Sequence, residues 1–219
     1  CVVSFSAGQD STTVAAWAKK HFDEVILLSF DYNQKHTVEL KQAEIVAKKM
    51  GLEHHIIRAN FFGDLVESAL TSNSTQNVND SHKNNSDLPA SFVPNRNAFF
   101  IVLAHSFAQK IGAQNLALGV SQEDYSGYPD CRREFIDKIK DALNNGSSTN
   151  IEIHTPVMFM GKDEEFQLAE DLGVLDLVIN DSHTCYNGNH EDFHDWGYGC
   201  GECNACKLRA DGFRRYKES

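Results

Sequence analysis

The sequence predicts an α/β fold, a doubly wound parallel sheet of about five strands with a small C-terminal appendage. Two observations carry this. Short apolar runs alternate with amphipathic stretches up to about residue 174, the pattern of strands joined by crossover helices. After residue 182 that alternation stops, and four of the six cysteines crowd together. The expected division is therefore 1–182 for the α/β domain and 183–219 for a cysteine-rich tail ending in a helix.

Each element follows from its local pattern. "CVVSFS" (1–6) reads as a strand, and "STTVAAWAKKHF" (11–22) as a helix with Asp10 or Ser11 near its start. "EVILLSFDY" (24–32) is a second strand, rich in branched and aromatic residues. "TVELKQAEIVAKKMG" (37–51) is a helix that Gly51 stops, "EHHIIRA" (53–59) a third strand and "FFGDLVESAL" (61–70) a short helix. Residues 71–91 hold only Val78 and Leu88 as large aliphatics, so the segment cannot bury itself and is expected to be a long surface loop. "RNAFFIVLAHSFAQKIGA" (96–113) is apolar over most of its circumference, which predicts a well-buried helix. "QNLALGV" (114–120), "CRREFIDKIKDALNNG" (131–146), "NIEIHTPV" (150–157) and "KDEEFQLAEDLGV" (162–174) complete the alternation as strand, helix, strand and helix.

Composition bounds the function. Hydrophobic residues make up 41% of the 219, enough for a real core. The formal charge of −11 argues against an extended nucleic-acid surface, which needs a basic footprint, and favours a small-molecule substrate. No apolar run is long enough to span a membrane. The chain opens on Cys1 with too short an apolar run for a signal peptide, so the expected compartment is the cytoplasm.

"SFSAGQDSTT" (4–13) lies where the first strand meets the first helix. In a Rossmann-like sheet, ligands sit beyond the C-terminal strand ends. Small residues there leave backbone N–H groups and the positive helix end open to an anion. Neither a G-x-x-x-x-G-K-S loop nor a G-x-G-x-x-G loop is present. The ordinary reading, a polar turn capped by Asp10 or Ser11, is equally weighted on physics alone.

The tail carries C-x14-C-x2-C-x2-C, made by Cys185, Cys200, Cys203 and Cys206. Thiolates two residues apart grip one ion from a tight turn while a fourth arrives from elsewhere. Zinc is the expected ion and an all-thiolate site is structural, which makes the appendage a zinc-binding subdomain; an iron–sulfur cluster is the competitor. His183, His190 and His194 are spare to that set.

"SAGQDS" (6–11) resembles the S-G-G-x-D-S signature of the PP-loop ATP pyrophosphatase superfamily. Together with "SFDYNQKH" (29–36), "FVPNRNAFF" (92–100), "EDYSGYPDCRREF" (123–135), "IHTPV" (153–157) and "TCYNG" (184–188), nearly the whole chain resembles the 7-cyano-7-deazaguanine synthase family. The resemblance implies an adenine nucleotide alpha hydrolase-like fold and an ATP-dependent ligase of queuosine biosynthesis. Such an enzyme turns 7-carboxy-7-deazaguanine and ammonia into a nitrile, contains zinc, uses magnesium with ATP, and is commonly a homodimer. It implies that Phe5, Ser6, Ala7, Gly8, Gln9, Asp10, Ser11, Thr12 and Thr13 hold ATP, with Phe30 near adenine. Asp10, Ser11 and Arg96 are the expected catalytic set, Arg96 as the phosphate-neutralising cation. Asp124 and Asp130 are candidates for the guanidine-like edge of the base, and Tyr125 and Tyr128 for stacking on it.

The chain departs from the family at three positions. Ala7, Asn33 and Asn95 stand where the family usually has glycine. A left-handed backbone costs a non-glycine residue roughly 1–2 kcal/mol. Either the loop is right-handed at Ala7 or nucleotide binding is weakened; Asn tolerates positive φ better. Two rival readings are a PP-loop tRNA-modifying enzyme, such as a thiolase, and a non-catalytic nucleotide-binding zinc protein.

Overall fold

The computed structural model describes residues 1–71, 74–83, 85–122 and 128–219. Asp124 and Tyr125 lie outside the described residues. The chain runs β1 (Val2–Ser4), α1 (Gln9–His21), β2 (Ile26–Asp31), α2 (Val38–Met50), β3 (Glu53–Arg58) and α3 (Phe61–Leu65). It continues through β4 (Ser81–His82), β5 (Asn85–Pro89), α4 (Arg96–Ile111), β6 (Asn115–Leu118), α5 (Arg133–Ser147) and β7 (Glu152–His154). It ends with α6 (Lys162–Asp171), α7 (Leu175–Asp181), β8 (Phe193–His194), β9 (Gly197–Tyr198) and α8 (Asn204–Glu218).

Five strands form one parallel sheet in the order β3-β2-β1-β6-β7. Alternation along the strands splits the core into two layers. Val2, Leu28 and Leu116 pack with α4 on one face, while Val3, Leu27 and Ala117 pack with α1 and α2 on the other. That two-sided burial is why these strands read as unbroken apolar runs. The chain reverses its winding between β1 and β6, which makes the crevice beyond those two strand ends the natural ligand site.

Three expectations are corrected. The 71–91 segment is no bare loop: β4 and β5 pair antiparallel, and Val78 and Ala90 are buried with Phe166 and Trp196 of the C-terminal region. Its few apolar anchors borrow a core from a neighbour. The helix expected over 61–70 stops at Leu65, because Ala69 leaves to donate its N–H to Ala90 O at 2.8 Å. On α4 a single stripe is fully buried (Ile101, Ala104, His105, Ala108), and Val102 and Ile111 on its two flanks are exposed. The tail is wedded to the body by α8, whose Phe213 meets Phe166 of α6 edge to face at 5.1 Å. Among the described residues no helix is long and apolar enough to cross a membrane.

Candidate active site

The loop after β1 begins with Ala7 at φ 57°, in the left-handed region, and its methyl is fully buried in the core under α1. Of the alternatives at this position the backbone is thus left-handed. The side chain points away from the ligand face, so the methyl does not crowd an anion there. Asn33 and Asn95 are also left-handed, with φ of 65° and 59°. Gly8 then caps α1 with ordinary backbone angles and no side-chain hydrogen bond. Neither Asp10 nor Ser11 caps the helix from the N-cap, where Gly8 N donates to Ser6 Oγ at 3.4 Å. Ser11 Oγ instead ties the loop, accepting from Ser6 N at 3.2 Å and meeting Ser6 Oγ at 3.2 Å. His183 N holds the loop from the tail side by donating to Ala7 O at 2.8 Å.

This loop opens into a cavity of about 250 Å³ beyond the ends of β1, β2 and β6. Phe5, Ser6, Gly8, Gln9, Asp10 and Ser11 line it. Thr12 and Thr13 sit one step deeper, fully buried, with Thr13 Oγ1 donating to Gln9 O at 2.9 Å. Phe30 lines the cavity while stacking on Phe100, ring centroids 4.3 Å apart. Arg96 opens α4 and lines the cavity. Burial opposes its charge, but the surrounding Tyr32, Tyr128, Asp130 and Tyr186 outweigh it and hold the guanidinium protonated. Tyr128 lines the same cavity, its hydroxyl 2.8 Å from Ser91 Oγ. Asp130 lies behind the wall, its carboxylate accepting Asn97 N at 3.1 Å and so occupying the first turn of α4.

Sequence reasoning passed over three charged residues of the cavity. Lys162, at the start of α6, sets its Nζ 2.7 Å from Asp10 Oδ1 and 3.0 Å from Glu165 Oε1, and its side chain is 7% exposed. Burial works against the Asp10 charge, yet Lys162 outweighs it and holds the carboxyl below its ordinary range. A lysine at the first position of a helix opposes the macrodipole, and that was the available signal. Arg209 of α8 is fully buried and, among the described residues, donates only to neutral oxygens: Trp196 O, Ser182 Oγ, Thr184 Oγ1 and Val178 O, at 2.7–2.9 Å. Burial pushes it down to about 10. Glu39, in the first turn of α2, lines the cavity, and burial raises its carboxyl to about 7 against the pull of Arg96.

The four tail sulfurs lie within 4.8 Å of one another. A tetrahedral ion with Zn–S bonds of about 2.3 Å would set sulfurs about 3.8 Å apart. Cys200 and Cys206 stand at 3.9 Å, so the donor set fits such an ion. Hydrogen bonds from Cys203 and Cys206 hold Cys185 well below the thiol range, while the same crowding pushes Cys203 up to about 11. A shared thiolate charge of this kind is what a cation would absorb.

An amide-lined loop at the switch point of a parallel sheet, joined to a four-thiolate corner, defines a PP-loop type of nucleotide-binding α/β protein with a metal site. Solved structures of the same fold include a 4-thiouridine synthetase in complex with RNA and bound ATP (TM-score 0.55, 14% identity, 99% of this chain and 53% of that one). Another is NMN synthetase from Francisella tularensis (TM-score 0.51, 15% identity, 99% and 84%). At such identities the likeness concerns the fold alone. The chain belongs to the family of queuosine biosynthesis protein QueC, whose model it matches over residues 1–217. It is 58% identical over 217 residues to a 7-cyano-7-deazaguanine synthase of Helicobacter pylori strain P12, covering 99% of this chain and 95% of that one. It is 47% identical to the synthases of Wolinella succinogenes, over 100% and 94%, and of Bacteroides fragilis, over 98% and 94%.

Proposed function

We propose that this protein is an ATP-dependent ligase that converts 7-carboxy-7-deazaguanine and ammonia to 7-cyano-7-deazaguanine in queuosine biosynthesis. The observation that carries the reading is a single cavity lined both by an uncapped, amide-rich helix start and by Arg96 with Tyr128. A carboxylate is a poor electrophile, so one of its oxygens must first become a leaving group. That oxygen attacks the α-phosphorus of ATP and expels pyrophosphate. Ammonia adds to the acyl carbon, AMP leaves and a proton is lost, giving the amide. The amide oxygen then attacks the α-phosphorus of a second ATP and expels pyrophosphate, and loss of AMP and of both amide N–H protons leaves the nitrile.

The residues present serve this chemistry by position and charge. Main-chain amides of Gly8 to Ser11 grip the departing pyrophosphate, helped by Ser6 and Ser11. Lys162 supplies the cation that the loop lacks, delivered from α6 instead of from within the loop. Arg96 pairs with phosphate oxygens beside the carboxyl under attack. Thr12 and Thr13 act from the inner side of α1 by fixing its first turn. Phe30 offers an apolar face to adenine, and Tyr128 a ring to the deazaguanine. Magnesium, which keeps most of its waters and needs few carboxylates, would meet Asp10 and the ATP phosphates and add charge neutralisation. Cys185, Cys200, Cys203 and Cys206 would hold zinc, which fills all four positions with sulfur and therefore crosslinks the tail without taking part in the reaction.

The partners in this reading are ATP, ammonia and the deazaguanine acid, and a second copy of the chain in a homodimer. Exposed Ile56, Phe61, Leu65 and Val102 support the last. The compartment in this reading is the cytoplasm. The test is turnover: protein, ATP, magnesium, ammonia and 7-carboxy-7-deazaguanine are expected to yield a product lighter by the change from carboxyl to nitrile, with two AMP formed per nitrile. An AMP yield independent of the acid would refute the reading.

A further inference from the structure

The recognition of the base has an acidic requirement that the described cavity meets in one place. Among the described residues, Asp10 and Glu39 are the acidic side chains that line the cavity. Asp10 is bound to Lys162 at 2.7 Å. Asp130, the acid that sequence reasoning placed at the base, is turned to the Asn97 amide behind the wall. Glu39 forms no hydrogen bond among the described residues. We propose that Glu39 is the specificity residue of the cavity, its carboxylate accepting two N–H bonds from the ring N–H and exocyclic amino group of the deazaguanine.

The placement argues for that class of ligand. Glu39 rises from the first turn of α2, across the cavity from the start of α4, with Arg96 and Tyr32 as the titratable groups facing it. Tyr32, Tyr128 and Tyr186 line the same cavity around Arg96, so a flat, apolar ring has faces to lie against. A bare cation such as ammonium is disfavoured by the Arg96 charge in the same volume. A neutral heterocycle with paired donors meets no such repulsion, and two parallel N–H bonds match the spacing of carboxylate oxygens. Burial raises the carboxyl to about 7, and N–H donors from a base would offset that desolvation. The phosphate loop lines the same cavity, so a base fixed at Glu39 could present its 7-substituent to the nucleotide.

This inference rests on the function proposed above, and its test is read by binding so that the two can fail separately. Calorimetry would measure 7-carboxy-7-deazaguanine, and the analogue lacking the 2-amino group, against the unmodified protein and Glu39→Gln. The unmodified protein is expected to bind the parent base about 10- to 100-fold more tightly than the analogue, the range for a lost charge-assisted pair. Glu39→Gln should weaken the parent by a similar factor, leave the analogue within threefold, and leave ATP affinity unchanged. Equal binding of the two bases by the unmodified protein would overturn the proposal, and needs no variant that folds. So would a Glu39→Gln protein that keeps the full preference. Absent turnover with this preference intact would count against the reaction and leave the contact standing.

Discussion

Lys162 illustrates how one side chain couples folding to the site. It is pressed between Asp10 and Glu165, and the chain makes room for it: a Cβ on Gly212 of α8 would lie 2.3 Å from the Lys162 Cβ. Removing one partner of a buried ion pair leaves the others as uncompensated charge, a loss of about 3–5 kcal/mol when burial is complete. Asp10 is 22% exposed, which reduces that figure. Lys162→Met, which keeps the stem, is expected to lower stability by roughly 2–3 kcal/mol and to raise the KM for ATP at least tenfold. Denaturant unfolding and steady-state kinetics check the two. Loss of stability with unchanged ATP kinetics would make Lys162 a structural residue and remove it from the phosphate end. Ala7 carries a smaller lesson. Its left-handed backbone is the strained geometry that glycine would adopt freely, and the methyl gains full burial in return.

At the scale of elements, the contact between β6 and α1 sets the shape of the phosphate loop. A Cβ at Gly119 would lie 2.8 Å from Ser11 N and 3.0 Å from both Asp10 C and Ser11 Cα. All three are backbone atoms of the first turn of α1, and none can swing aside as a side chain would. Gly119→Ala must therefore displace that turn, at an overpacking cost of about 1–3 kcal/mol. Its KM for ATP is expected to rise at least tenfold with the deazaguanine affinity little changed; an unaltered KM would mean that the turn does not touch nucleotide. The legible elements were those with strong periodicity. The sheet strands and α1, α2, α4 and α5 were readable because period and length agreed, although strand ends came out short where the backbone leaves the sheet to form the site. The hairpin β4–β5, the seven-residue α7 and the β8–β9 hairpin were not, since each is held by contacts distant in sequence. The same holds for the site. The phosphate loop and the cysteines announce themselves by local spacing, whereas Glu39 looks like an ordinary first-turn residue, and Lys162 shows only its unfavourable place at a helix start, until the fold turns them inward.

For the molecule as a whole, the uneven surface is what calls for a partner. Strands of a doubly wound sheet are normally covered on both faces, yet Ile56 on the edge strand β3 is 37% exposed. On the α4 side of the sheet, away from Ile56, Phe61 is 60% and Leu65 74% exposed on α3, and Val102 39% on α4. Phe61 leans edge-on against Phe99 at 5.8 Å, so α3 and α4 offer one continuous apolar face. The net charge of −11 would keep such a face apart from random neighbours and leave room for a self-complementary two-fold contact, in which repulsion is offset by apolar burial. A stable interface needs about 800 Å² from each protomer. Sedimentation velocity at micromolar concentration is expected to give a dimer. The double change Leu65→Asp and Val102→Asp should shift it to monomer, because each copy would bury two unpaired carboxylates at the two-fold contact. Both positions are exposed in one protomer, so the melting temperature of the dissociated chain should fall only by the loss of the association itself. A monomeric unmodified protein would refute the dimer, and a dimer that survives both changes would move the interface to another face.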